Sequence, residues 1–230
     1  MTEGRDTHLS PPLCLRVWGE RACFTRPEMK VERVSYDVMT PSAARGTLEA
    51  ILWKPQMRWI VERIDVLKPI RRDSVRRNEV SDVISMANVK KAMNGTPVAL
   101  GIDVTTATAR RQRAALILRD VAYVIHARIA LTGKAGPGDS LNKYVEMFKR
   151  RAGAGQCFHR PYLGTREFAA DFALVTDDEA PTAITENIPL GWMLLDIDYM
   201  GAKPTPLFFD AKLENGSLAV PDPKSGEIRR

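Results

Sequence analysis

The stretch Val34-Ser35-Tyr36-Asp37-Val38-Met39-Thr40-Pro41-Ser42-Ala43-Ala44-Arg45-Gly46-Thr47-Leu48-Glu49-Ala50-Ile51-Leu52-Trp53-Lys54-Pro55 decides the fold class of this chain. It reads as the end of a strand, a helix that starts on one proline and a stop imposed by another. Thr40 is placed to cap the helix, its side-chain oxygen accepting from a backbone N–H of the first turn. Pro41 at the first helical position loses nothing, because that N–H has no partner within a helix. Ala44, Leu48, Ile51 and Leu52 recur at helical spacing, so one face is apolar and packs against a sheet. Trp53-Lys54-Pro55 ends the helix, since the residue before a proline is pushed out of the α region.

Working outward, Leu13 to Trp18 reads as a short strand, followed by a long polar loop to about Thr40. Gln56 to Ile70 alternates Trp59, Val61, Ile64 and Val66 among charges with one slip of phase, which predicts a strand carrying a bulge. Residues 71–106 read as irregular, with Asn94-Gly95-Thr96-Pro97 as a turn signal. Ala115 to Leu118 and Val121 to Leu131 read as strand. Asp139 to Ala152 reads as a helix with Leu141, Tyr144, Val145, Phe148 and Ala152 on its apolar face, stopped by Gly153-Ala154-Gly155. Glu167 to Val175 reads as a strand. The order predicts an α+β fold: a ferredoxin-like (RRM-like) βαββαβ domain over residues 1–175. Residues 176–230, with turn signals at Pro189-Leu190-Gly191 and Asn215-Gly216, read as a small C-terminal antiparallel β appendage.

The totals narrow the class. The chain has 230 residues, 44% hydrophobic and 27% charged, an ordinary globular balance. It carries no apolar run of about 18 residues, so no membrane partner is expected. The first dozen residues, which include His8, lack a signal peptide's apolar core. Cys14, Cys23 and Cys157 are odd in number and scattered, which points to a reducing, cytoplasmic setting and away from a disulfide framework or zinc cluster. The net charge of +6 hides a division: residues 1–176 carry 29 basic against 18 acidic side chains, and residues 177–227 carry 3 against 10. A basic body with an acidic C-terminal part suggests a polyanion on the former.

The wording of the opening helix resembles the signature of the Cas-five family of CRISPR-associated proteins (the RAMP superfamily), in its type I-C, subtype d form. There a Thr-Pro-Ser/Thr-x-Ala-x-x-Gly helix runs into Trp-Lys-Pro. Trp18-Gly19-Glu20-Arg21-Ala22-Cys23-Phe24-Thr25-Arg26-Pro27-Glu28-Met29-Lys30 resembles the family's first strand and loop. Leu163-Gly164-Thr165-Arg166-Glu167-Phe168 resembles its Leu-Gly-x-Arg-Glu element. Leu207-Phe208-Phe209-Asp210-Ala211 and Glu214-Asn215-Gly216 resemble its last hairpin. These matches follow the family's order over nearly the whole chain.

The resemblance implies an endoribonuclease that cuts the CRISPR precursor transcript at repeat stem-loops without metal and stays on the crRNA 5′ handle, with other type I-C effector subunits as partners and no cofactor. Such chemistry uses the RNA's own 2′-hydroxyl as nucleophile and leaves a 2′,3′-cyclic phosphate and a 5′-hydroxyl. It asks for a proton acceptor, a proton donor and a cation to stabilise the phosphorane. The resemblance places these groups on the two helices, as a tyrosine before Trp-Lys-Pro and a Lys-His pair in the second helix. Here the first position is Leu52 and the pair is Lys143-Tyr144. Lys143 keeps the cation, suited to the scissile phosphate as a point charge. Tyr144 is a poor base at a reference pKa of about 10, though a serviceable acid or hydrogen-bond donor. It also lies on the apolar helix face, so core packing and a site-facing role both stand open.

His126 and His159 are the candidate alternative bases, since only histidine titrates unaided near neutrality. Arg71, Arg72, Arg76 and Arg77, then Arg110, Arg111 and Arg113, are dense basic groups suited to RNA backbone contact. Lys149-Arg150-Arg151 leads into Gly153 and Gly155, where small residues permit close approach to phosphate. Each group also fits a solvated face, and the last fits a helix C-terminus. Tyr36, Trp53 and Phe158 are candidates for base stacking. Asp196 and Asp198 would point to one face of a strand, but without a third ligand nearby they read as a polar face and not a metal site. Two further readings remain beside the endoribonuclease: a non-catalytic crRNA-handle-binding subunit, in which Leu52 and Tyr144 have removed cleavage, and a non-specific duplex-DNA-binding protein.

Overall fold

Helix α1 (Pro41–Ile51) begins where its cap demands: Thr40 Oγ1 accepts from the Ala43 N–H at 3.3 Å. It ends as Leu52 swings into extended backbone ahead of Pro55. In the computed structural model, which describes residues 9–176, 181–199, 201 and 203–230, α1 lies on a sheet of eight strands. His8 and the acidic run Asp177-Asp178-Glu179 lie outside the described residues.

The strands are β1 (Leu13–Ala22), β2 (Met57–Val66), β3 (Arg72–Val80), β4 (Arg110–Leu131), β5 (Asp171–Leu174), β6 (Ile188–Asp198), β7 (Thr205–Glu214) and β8 (Ser217–Ala219). Their order is β5-β1-β4-β2-β8-β7-β6, with β3 paired to the first half of β4, and every one of these pairings is antiparallel. The strands after residue 176 therefore continue the same sheet, joined through β8 to β2. The phase slip in β2 is a bulge between Val61 and Arg63. The break read between Leu118 and Val121 is a kink within one continuous strand: Asp120 has φ +53°, which a short polar residue tolerates, and its carboxylate takes the Lys68 ammonium at 2.5 Å.

Residues 71–106 are not irregular. They contain β3 and a second helix, α2 (Met86–Met93). Strand β3 has no apolar stripe to announce it. Its residues alternate between exposed and half-buried, and it is held by its ladder to β4 from Arg72↔Leu118 to Val80↔Arg110. Backbone pairing outweighed side-chain pattern there.

The third helix, α3 (Leu141–Gly153), is capped by Ser140 and packs beside α1 on the same sheet face. Trp59 of β2 meets Phe148 of α3 edge-on at 4.7 Å between ring centroids, and its indole N–H donates to the Leu52 carbonyl at 2.9 Å. Tyr123, Ile125, Ala127 and Ile129 of β4 point into this core. The alternate residues of β1, β2 and β4, including Cys14, Arg16, Arg63, His126 and Arg128, therefore point to the other face of the sheet. There the sheet is polar and partly open to solvent.

Candidate nucleic-acid interface

The N-terminus of α3 gathers Lys143, Tyr144 and Asp139 around one carboxylate. Lys143 Nζ lies 3.2 Å from Asp139 Oδ1 and 3.2 Å from the Gly138 carbonyl, half exposed. The Tyr144 phenol donates to the same Asp139 oxygen while its ring is buried. Burial, then the hydrogen bond to Asp139, push the Tyr144 hydroxyl up to about 12. The Tyr144 and Gly136 donors and the Lys143 ammonium bring Asp139 down to about 2. Tyr144 thus has both properties left open by the sequence: its ring is core, and its hydroxyl sits beside Lys143. It stays protonated at neutral pH and does not accept a proton. Leu52 is fully buried, so the position where the family's tyrosine is expected contributes packing.

Neither histidine stands next to Lys143. His126 faces the opposite side of the sheet, so the two cannot flank one phosphate. His159 follows the C-terminal end of α3, where the Phe158 N–H bonds the Ala50 carbonyl of α1 and Arg151 donates to the Ile51 carbonyl at 2.9 Å. Lys143 and Arg151 are eight residues apart on one helix, about 12 Å along its axis. His159 is exposed and stacked near Tyr162, with Phe158 edge-on to it.

That end of α3 carries a second set of groups. Lys149 and Arg150 are exposed, Gly155 adopts φ +66° after the helix, and Arg151 is committed to capping α1. Trp53 is 56% exposed and Phe158 88% exposed, whereas Tyr36 is buried with its hydroxyl accepting from the Leu194 N–H. Two of the three stacking candidates are therefore on the surface.

The seven arginines of residues 71–113 lie on or beside the long β3–β4 hairpin, split between its faces. Arg77, Arg111 and Arg113 share one face, and Arg72, Arg76 and Arg110 share the other. Several are engaged: Arg71 with Asp120, Arg72 with Asp37, Arg77 with Glu167 and Arg113 with Glu79. Among the described residues, Arg76 and Arg111 have no acidic partner.

Where the hairpin meets the Leu163–Phe168 loop, an open cleft of about 530 Å³ is lined by Arg33, Arg77, Tyr162 and Arg166. Glu167 bridges Arg33 and Arg77 across it. Gly164 makes the loop possible: it sits at φ +87°, and a Cβ there would fall 2.0 Å from the Cys23 carbonyl oxygen. Arg33 and Tyr162 carry no sequence signal of their own. Arg77 and the Leu-Gly-x-Arg-Glu wording were what pointed to this place.

Asp196 pairs with Arg45 at 2.7 Å, and among the described residues no group of three or more His, Cys, Asp or Glu is arranged to hold a metal ion. No described helix is long and apolar enough to cross a membrane.

The chain is 53% identical over 224 residues to the protein named CRISPR pre-crRNA endoribonuclease Cas5d from Mannheimia succiniciproducens, covering 94% of this chain and 97% of that one. It is 43% identical over 236 residues to the protein of the same name from Thermus thermophilus, covering 95% of each. A solved structure described as a CRISPR-associated protein shares the fold with a TM-score of 0.71 at 21% identity, over 98% of this chain and 100% of the other. The family model for CRISPR-associated protein (Cas_Cas5), in its Cas5d form, matches residues 12–221, and on that match and these relatives the chain belongs to the Cas5d family.

Proposed function

We propose that this chain is a pre-crRNA endoribonuclease of a type I-C CRISPR effector complex, which binds the repeat RNA, cuts it without metal and remains on the crRNA 5′ handle. The observation that carries the reading is the 53% identity, over 94% of the chain, to a protein named for that activity. The fold supports it. The order β5-β1-β4-β2, with α1 and α3 on one face, supports a ferredoxin-like reading of residues 1–175, to which residues 176–230 would add a β appendage. The protein acts in the cytoplasm, where the transcript and the other effector subunits are found.

In this reading the exposed arginines of the β3–β4 hairpin and the basic end of α3 hold the RNA backbone, and Trp53 and Phe158 stack on unpaired bases. Lys143 balances the charge that develops on the phosphorane as the 2′-oxygen attacks and the 5′-oxygen leaves. Asp139 and Tyr144 position that ammonium. With no side-chain base beside Lys143, cleavage rests on in-line placement of the 2′-hydroxyl and on electrostatics. A missing general base costs about 10²–10⁴ in rate, so turnover is slow.

The buried Leu52 and the fully engaged Tyr144 hydroxyl favour a second reading, a handle-binding subunit that does not cut. Incubation of the purified protein with a cognate repeat RNA in EDTA separates the two. A defined cut with a cyclic-phosphate end, lost in Lys143→Ala, supports the endoribonuclease; tight binding of intact RNA supports the cap. Equal affinity for unrelated duplex DNA in the same salt would move the protein to a third class, that of duplex-DNA binders.

A further inference from the structure

On the sheet face away from the helices, four side chains from four strands form a chain of hydrogen bonds that the RNA chemistry does not use. Cys14 Sγ of β1 lies 3.2 Å from His126 Nδ1 of β4. His126 Nε2 donates to Asp65 Oδ2 of β2 at 2.6 Å, and Ser217 of β8 donates to Asp65 Oδ1 at 2.6 Å. Arg63 clamps the same carboxylate, its Nε 3.0 Å from Oδ1. The sheet register makes this contact: Cys14 and Arg63 are the two cross-strand partners of His126, and Ser217 is the partner of Asp65. A thiol, an imidazole and a carboxylate that orients the imidazole form the arrangement that activates a sulfur nucleophile. Asp65 is held as an anion by His126, Ser217 and Arg63 although burial opposes its charge. Burial likewise opposes charging of His126, but the hydrogen bonds to Asp65 and Cys14 outweigh it and raise the imidazole to about 9. The Arg63 guanidinium also lies against the ring, its Nη2 3.0 Å from His126 Nε2 and 3.3 Å from Nδ1, and on the same face Arg128 is paired with Glu62. Cys14 is part-exposed, as is Cys157, while Cys23 is buried.

We propose that Cys14 is a nucleophilic thiol and a modification site, at which the protein takes up low-molecular-weight disulfides. His126, protonated below about pH 9, faces the sulfur with its Nδ1–H, and Cys14, its proton lost to solvent, attacks as the thiolate one sulfur of the disulfide. The Cys14–S bond forms as the disulfide's own S–S bond breaks. The other half leaves as a thiolate and takes up a proton from solvent, so one disulfide and one thiol become one mixed disulfide and one thiol. The adduct would stand on the open sheet face beside Arg16.

The test uses the native protein, comparing its own cysteines. Limited alkylation with iodoacetamide at pH 6.5, followed by peptide mapping, is expected to label Cys14 at least about tenfold faster than Cys157, as for thiols paired with an imidazolium. The ratio should shrink as pH rises past 9, and in folded His126→Gln it should fall to near one. Oxidised glutathione at neutral pH should add one glutathionyl group, mapped to the Cys14 peptide, removed by dithiothreitol and missing in Cys14→Ser. Equal labelling of Cys14 and Cys157 in the native protein at pH 6.5 overturns the proposal, whatever the variants do, and so does a glutathione adduct that maps elsewhere.

Discussion

The phenol of Tyr144 donates to the same Asp139 oxygen that holds the Lys143 ammonium. One carboxylate therefore fixes both groups of the proposed site, and the tyrosine acts through its bond to that carboxylate. Lys143→Ala should lower repeat-RNA cleavage by about 10²–10³-fold, the usual loss when a donor aimed at developing charge is removed. Tyr144→Phe should cost about tenfold or less, because it leaves the cation in place. Single-turnover cleavage assays with excess enzyme measure both, and a Tyr144→Phe loss as large as that of Lys143→Ala would make the phenol a direct participant.

The His126–Asp65 pair makes stability depend on pH in a defined direction. The folded imidazole titrates at about 9, above its ordinary 6.5. The contribution is complete below pH 6.5 and disappears as pH rises through 9. Its size is on the order of 2–3 kcal/mol, since each unit is worth about 1.4 kcal/mol and part of the shift is shared with Asp65. The difference in urea unfolding free energy between the wild type and His126→Gln should be large at pH 6 and near zero at pH 10. A difference that grows with pH would contradict the assignment.

Arg76 and Arg111, like Arg110, have no acidic partner among the described residues, and neither of the two is tied to a backbone carbonyl as Arg110 is to Thr105. Replacing both with alanine should weaken binding of repeat RNA and reduce the slope of log affinity against log salt by about 1.4, or about 0.7 for each phosphate of single-stranded RNA that is no longer neutralised. The melting temperature should hold. Arg77→Ala should lower both affinity and melting temperature, because it also releases Glu167. Filter binding at several salt concentrations and a thermal melt read the two effects separately.

Gly164→Ala would place a methyl group 2.0 Å from the Cys23 carbonyl at a positive φ. The left-handed backbone alone costs about 1–2 kcal/mol, and the clash adds to it. We expect a loss above about 2 kcal/mol in chemical denaturation, with the Arg166 side of the cleft displaced. Gly46→Ala, with open space at its Cβ, should be neutral or stabilising by about 0.5–1 kcal/mol as a helical Gly→Ala change.

Local chemistry in the chain was enough for α1, for the cap on Thr40, for the bulge in β2 and for the apolar face of α3. In each case the signal lies within a few residues: a hydroxyl before a proline, a phase slip, a 3.6-residue period. The Trp-Lys-Pro and Leu-Gly-x-Arg-Glu wording also identified the family. Strand β3 and helix α2 gave no such signal, since β3 presents arginines on both faces and owes its place chiefly to its backbone ladder with β4. Tertiary structure alone decided that His126 turns away from Lys143, that Tyr144 is committed to Asp139, and that Cys14 meets an imidazole 112 positions along the chain. The two placements of His126 depend on strand register and on which side of the sheet a side chain leaves, and a one-residue slip would reverse both, whereas the Tyr144 bond is set by how α3 and the loop before it fold.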